Sequence, residues 1–265
     1  FLPDWNAYDI ACRSIRVNVS DMAAMAAQPC WATLALTLPE LNQQWLDAFA
    51  QGLKDSLSQF NMTLIGGDTT QGPLSITLTV FGTTPRGQAI VRSGAKPRDI
   101  ILVSGALGAA ALAVKFLDNQ DISTLDKAEL MKKLMYPQPR IDLIDSLRIY
   151  ATSAIDISDG LSADLNHLCI ASGVGAFLDK EAIPVHPLLK KYCFSKSVDL
   201  ALTGGDDYEL CFTVPEHQLS LLLRAFKKAD LSCYPVGVIE EKTGLRMKTA
   251  DNQCVDLIPA GYSHF

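Results

Sequence analysis

The sequence predicts a layered fold, α/β or α+β, and three observations carry that expectation. Strand-like and helix-like segments alternate along most of the 265 residues. Apolar strands run straight into glycines and carboxylates, the strand-end setting in which layered folds hold ligands. The composition, 48% hydrophobic and 20% charged, is that of a globular chain long enough for one large domain or two ordinary ones.

Each element follows from its own pattern. Residues 7–27 place Ala11, Ile15, Val19, Met22 and Met25 at helical spacing. WATLALTL at 31–38, between Pro29 and Pro39, reads as a buried strand. Trp45, Phe49, Leu53, Leu57 and Phe60 keep helical period and form the core face of a second helix. MTLIGG at 62–67 and the alternating LSITLTVFG at 74–82 read as strands, with TPRGQ as a turn. RSGAKPRD at 92–99 mixes glycine, proline and charge, and sets an expected boundary between a domain at 1–93 and another at 94–265. Strand 100–105, helix 106–117, two helices within 126–150, strand 153–158, the helix DGLSADLNHLCIAS and strand 173–179 follow. A loop with Pro184 and Pro187 leads to strand 209–215, helix 216–229 and strand 233–240.

Charge and cysteine usage narrow the function class. The net charge is −6, and no basic patch of the kind nucleic-acid proteins carry is visible. Seven cysteines are spread singly, without CxxC, which favours reduced thiols in a cytosolic protein over a disulfide framework or zinc site. Cys211, inside ELCFTV, reads as a buried strand residue. No apolar run approaches the ~20 residues of a membrane helix, and no signal peptide is present. The first residues, FLPDWNAYD, contain no Met and read as an entry in mid-fold, so an N-terminal piece is expected to be missing.

The chemistry is expected in four acid-bearing stretches: NVSDMAAMAA at 18–27, LIGGDTT at 64–70, IDISDGLSADL at 155–165 and LTGGDDYELCF at 202–212. In GGDTT, glycines after a strand allow a tight turn and close approach of a phosphate, and Asp68 offers the hard oxygen that Mg²⁺ prefers; an ordinary Gly-Asp turn is the plain alternative. In IDISDG, Asp156 and Ser158 share a strand face. Asp159 opens a helix, either as a cap or as a ligand. Asp156, in an otherwise apolar strand, needs a compensating partner such as a metal. Asp21 lies in a largely apolar helix and needs a partner, a metal or solvent. Arg92 in RSGAK either forks onto phosphate oxygens or belongs to a solvated linker. Asp206, Asp207 and Glu209 either bind a metal or a cationic substrate or cover a turn. Tyr262 either stacks on a flat ligand or lies in a frayed tail. No GxxxxGK[ST], HRD loop or GxSxG elbow is present, and no candidate nucleophile stands out. The carboxylates therefore predict a Mg²⁺-nucleotide enzyme that works by positioning and metal electrostatics.

Taken in order, NVSDMAAMAAQP, LALTLPE, LIGGDTTQGPLSITLTVFG, VRSGAKPRD, SAIDISDGLSADL, LTGGDDYELCFTVPE and the closing GYSHF cover essentially the whole chain. Together they resemble the thiamine-monophosphate kinase family, within the ATP-using superfamily typified by aminoimidazole ribonucleotide synthetase. The resemblance implies a two-domain fold: an N-terminal mixed sheet with helices that pairs with a second subunit in a homodimer, and a C-terminal α/β domain. It implies transfer of the γ-phosphoryl of ATP to thiamine monophosphate, assisted by several Mg²⁺ ions, in a cytoplasmic enzyme with no nucleic-acid or membrane partner. By matching positions it makes Asp21, Asp68, Asp156 and Asp159 metal ligands, Gly67, Asp68, Arg92 and Ser158 nucleotide contacts, and Asp206 and Tyr262 neighbours of the thiamine substrate.

Three departures accompany the match. The family has a further N-terminal stretch with acidic ligands and a histidine, so a fragment lacking it is expected to bind Mg²⁺-ATP weakly and turn over poorly. The family more often has Glu at Asp206 and Gly at Ala26. The alternatives are another ATP-dependent synthetase of the superfamily, of the purine or hydrogenase-maturation type, or a non-catalytic nucleotide-binding module.

Overall fold

The computed structural model describes residues 5–117 and 121–262. Helix α1 (Ala7–Ala24) opens with a reciprocal cap: the Asp9 amide donates to the Asn6 side chain and the Asn6 amide group donates back to the Asp9 carboxylate. The helix stops at Ala24, short of the expected residue 27, because Ala26 turns into the left-handed region at φ 52° and Ala27 N–H bonds back to Met22. A left-handed conformation costs an alanine about 1–2 kcal/mol, a cost that a glycine at this position would not bear.

Strand β1 (Gln28–Leu38) is the centre of a three-stranded sheet. Helix α2 (Gln43–Gln59) connects it to β2 (Thr63–Gln71), which pairs parallel to it. Strand β3 (Ser75–Thr83) pairs antiparallel on the other side. Ala11, Ile15, Val19, Phe49, Leu53, Leu57 and Phe60 fill the core between this sheet and its two helices, as their period predicts. Met25 is exposed instead, beyond the end of α1.

GGDTT does not turn. The strand expected to end at Gly67 runs on to Gln71. The register jumps from Ala32–Leu64 to Thr33–Gly66, leaving Ile65 as the extra residue of a bulge. Gly67 is needed because a β-carbon there would overlap the Leu34 carbonyl oxygen. Gly67→Ala is expected to lower stability by about 1–3 kcal/mol, read as a fall in the urea midpoint; an unchanged midpoint would count against the close approach.

The second sheet has seven strands in the order β10-β9-β6-β8-β4-β7-β5. In chain order its elements are β4 (Asp99–Val103), α3 (Ala109–Lys115), α4 (Thr124–Met135), α5 (Ile144–Tyr150), β5 (Ser153–Asp156), α6 (Leu161–Ser172), β6 (Gly175–Asp179), α7 (Pro187–Tyr192), α8 (Ser197–Thr203), β7 (Leu210–Pro215), α9 (Leu219–Lys228), β8 (Tyr234–Glu240), β9 (Gly244–Lys248) and β10 (Cys254–Leu257). Alternation sorts the side chains into two cores. Ile101, Val103, Ile155 and Cys211 face the layer of α3, α4, α6, α7 and α8. Leu102, Ala154, Leu210, Phe212 and Val214 face α5, α9 and the end of α1. Helix α1 thus serves both sheets, with Ile15 and Val19 in one core and Ala23 and Ala24 in the other.

Four elements escape the sequence pattern. In α7, Pro187 is the first helical residue after the His186 cap, not a breaker. Helix α8 is a single short element in the stretch expected to be loop. Strands β9 and β10 are short, and β10 is nearly all exposed at the sheet edge.

Candidate active site

The site is organised by the turn between β5 and α6. Asp156 is the last residue of β5 and is buried, 5% exposed. With Asp21 of α1 and Arg92 it lines a cavity of 330 Å³, walled on the apolar side by Ala24, Met25, Ile90 and Val91. Burial pushes the Asp156 carboxyl up to about 7, and the negative charge of Asp21 adds to the shift. Asp21 is raised by burial too, and the Arg92 guanidinium opposes that rise. Ser20, fully buried on α1, lies against Asp156, and its hydroxyl makes no hydrogen bond of good geometry.

Ser158 and Asp159, two and three residues on, line a second cavity of 590 Å³ together with Asp206, Tyr208 and Tyr262. Three segments close on the turn. Asp206 N–H donates to the Ser158 carbonyl at 2.8 Å and Tyr262 N–H donates to the Asp159 carbonyl at 2.9 Å. The carboxylate of Asp164, buried in α6, accepts the amides of Asp159 and Gly160 from behind. Gly205 and Gly261 admit these approaches, since a β-carbon on either would crowd the turn's carbonyls. The Tyr262 backbone is therefore pinned and not frayed, although the residue is 63% exposed; the Ser162 hydroxyl, bonded to Ala260 O at 2.6 Å, holds the same tail.

The acids of GGDDYEL divide their work. Asp206 sits at φ 70° and Tyr208 at φ 51°, both in the left-handed region. Arg13 of α1 ion-pairs with Asp206 at 2.6 Å. It also donates to the Leu134 carbonyl and lies over the rings of Trp5 and Tyr208. Asp207 faces inward and accepts the Gly108 amide at the start of α3 at 2.7 Å, with its carboxyl pushed up to about 7 by burial. Glu209 takes Arg140 at 2.9 Å and the Ser104 hydroxyl. Asp207 and Glu209 are thus structural, and Asp206 alone of the three lines the larger cavity.

RSGAK is no loose linker. The Ser172 hydroxyl donates to Arg92 O at 2.8 Å and accepts Ala95 N–H at 3.2 Å. Gly94 lies so close to the Thr152 carbonyl that a β-carbon would overlap it.

The structure does not gather all four predicted acids. Asp68 stands on the exposed β2, its carboxylate turned back to the Thr69 amide, and neither cavity reaches it or Gly67. Among the described residues no three His, Cys, Asp or Glu side chains converge as a ready metal-ligand group. Arg13, Arg140 and Asp164 support the site from outside the four acid-bearing stretches or their leading acids. Arg13 and Asp164 carried a signal, each being a charge set in an apolar helical stretch.

Comparison with known proteins places this geometry. The family model described as AIR synthase related protein, N-terminal domain, matches residues 1–84, and the corresponding C-terminal domain matches residues 86–249. That pair defines the class of fold. The thiamine-monophosphate kinase of Escherichia coli (strain K12) is 42% identical over 268 residues, covering 100% of this chain and 82% of that protein. The crystal structure of thiamine-monophosphate kinase from Stenotrophomonas maltophilia K279a superposes with a TM-score of 0.88 at 40% identity, over 93% of this chain and 80% of that one. AaThiL complexed with AMPPCP and TMP gives the same TM-score at 30% identity, over 100% of this chain and 83% of that one. The chain belongs to the thiamine-monophosphate kinase family of AIR synthase-related proteins. Among the described residues no helix is long and apolar enough to cross a membrane.

Proposed function

We propose that this chain transfers the γ-phosphoryl group of ATP to thiamine monophosphate, giving thiamine diphosphate and ADP. The observation that carries the proposal is the β5–α6 turn. It sets Asp156 on a cavity with Asp21 and Arg92, and Ser158 and Asp159 on a second with Asp206 and Tyr262. The first cavity suits a nucleotide: an apolar wall beside a guanidinium that forks onto phosphate oxygens. The second suits the acceptor, with Tyr262 offering a ring face and Asp206 a carboxylate already positioned by Arg13.

Mg²⁺ fits the first cavity. Asp21 and Asp156 are hard oxygen donors whose mutual repulsion raises Asp156, and a bound cation would relieve it. Asp21 and Asp156 would hold the metal, which supplies neutralisation of phosphate charge when bound; Asp159 lines the second cavity, and its support as a ligand is the match to the family motif. For Asp68 as a further ligand, and for Gly67 as a nucleotide contact, the support is the match to the family motif alone. The chain's own groups bind and orient: Arg92 holds phosphate oxygens from the first cavity, and Ser158 lines the second beside Asp159.

A homodimer is part of the same reading. Strand β2 is an exposed sheet edge, and Trp31, Leu64, Ile65 and Phe81 lie exposed on this sheet, an arrangement that a second copy would cover. The two-domain division at 93/94 is supported by each sheet having a core of its own, with the end of α1 reaching into that of the second, and a cytoplasmic location by the seven unpaired cysteines.

The test is Mg²⁺-dependent ADP release with and without thiamine monophosphate. Strict dependence on thiamine monophosphate is expected. ADP release indifferent to it would sink the kinase reading in favour of another ATP-dependent synthetase.

A further inference from the structure

We propose that Asp164 is the positioning residue of this site, holding the Ser158–Gly160 turn in its working conformation through two backbone hydrogen bonds. The proposal rests on the kinase reading for its catalytic consequence. Asp164 lines neither cavity and touches no substrate position. It sits in the first turn of α6, 3% exposed. One oxygen, Oδ2, accepts both the Asp159 amide at 3.0 Å and the Gly160 amide at 3.1 Å.

The turn has two sides, and they are satisfied differently. Its amides point inward to Asp164. Its carbonyls point outward, Ser158 O to the Asp206 amide and Asp159 O to the Tyr262 amide. The turn is also where the chain leaves β5 for α6 through Gly160, at φ 125°. Without the inward bonds, the amides of Asp159 and Gly160 would be left buried without partners, which is costly enough to make the turn reorganise. Any rotation of that peptide swings the Asp159 carboxylate, moves the Ser158 hydroxyl, and shifts the anchor points of the Asp206 loop and the Tyr262 tail. One buried carboxylate therefore sets the direction of the groups that line the acceptor's cavity. Outer-shell partners of ligating carboxylates typically matter by 10–100-fold.

A carboxamide oxygen can accept the same two amides, and a methyl group cannot. In full-length protein, Asp164→Ala is expected to lower kcat on the order of 100-fold and to raise the KM for thiamine monophosphate, whose cavity Asp206 and Tyr262 line. Asp164→Asn is expected to restore most of kcat, because the bonds and not the charge do the positioning. Amide hydrogen exchange gives a readout that needs no activity: Asp159 and Gly160 are expected to be protected in wild type and in Asp164→Asn, and to exchange at least about tenfold faster in Asp164→Ala.

The proposal is overturned if Asp164→Ala, folded with a Tm within about 4 °C of wild type, keeps kcat within about threefold. It is overturned equally if Asp164→Asn is as damaged as Asp164→Ala. If neither variant folds, rapid exchange of both amides in the wild-type protein overturns it. Should wild type release no ADP with thiamine monophosphate, the kinase reading fails by itself, and the exchange pattern still decides whether Asp164 holds the turn.

Discussion

Asp156→Asn is expected to cut turnover by two or more orders of magnitude and, at the same time, to make the metal-free protein more stable above neutral pH. The two effects share one cause. Asp156 is nearly buried and beside Asp21, so its carboxyl titrates near 7 instead of in the ordinary carboxylate range. Its folded value is therefore above its unfolded value. Between the two, the folded state binds the extra proton, and stability falls as pH rises through that window. Above about pH 7 the metal-free fold carries the whole cost of a buried charge, an upper bound of about 4 kcal/mol. An amide of the same shape removes that cost, so the variant's Tm at pH 8 without metal should exceed that of wild type, and the difference should vanish toward pH 4. It also removes the charge that a Mg²⁺ ion would need, which is why turnover falls while the fold survives. Wild-type turnover in the variant would end the ligand assignment. A variant less stable than wild type at pH 8 would end the account of the buried charge.

Phe212→Ala is expected to lose about 3–5 kcal/mol of stability. Phe212 is wholly buried at the middle of β7, between β4 and β5, where it pairs with Leu102 and Ala154. It belongs to the core that α5, α9 and the end of α1 share, so a cavity there cannot be filled by moving one helix. Against a total stability of roughly 5–15 kcal/mol, the loss should show as a large fall in the denaturant midpoint. A change under about 1 kcal/mol would mean that the layer collapses onto the hole. Phe212→Leu should cost much less, since most of the volume remains.

How much was legible beforehand is clearest in particular residues. The core faces of α1 and α2 followed from period alone, because Ile15, Val19, Phe49 and Leu53 repeat as a helix must to bury one side. The short α7 and the edge strands β9 and β10 did not, because so few residues carry too little periodicity and Pro187 looks the same as a breaker or as a first helical residue. GGDTT read as a turn from its glycines; only the neighbouring strand reveals that Gly67 is there to let Leu34 approach.

Residue order was enough for the layered class, the family, and the acids worth asking about, since these depend on which residue types occur in which order. It could not determine which acids act together. Asp21 and Asp156 are 135 positions apart in the chain and share a cavity, whereas Asp206, Asp207 and Glu209 are neighbours with three different tasks. Burial, ion pairing and the direction of a peptide group are properties of the surroundings in space. Tertiary structure alone could decide that Arg13 claims Asp206, that Asp207 serves a helix, and that Asp164 stands behind the turn on which the site is built.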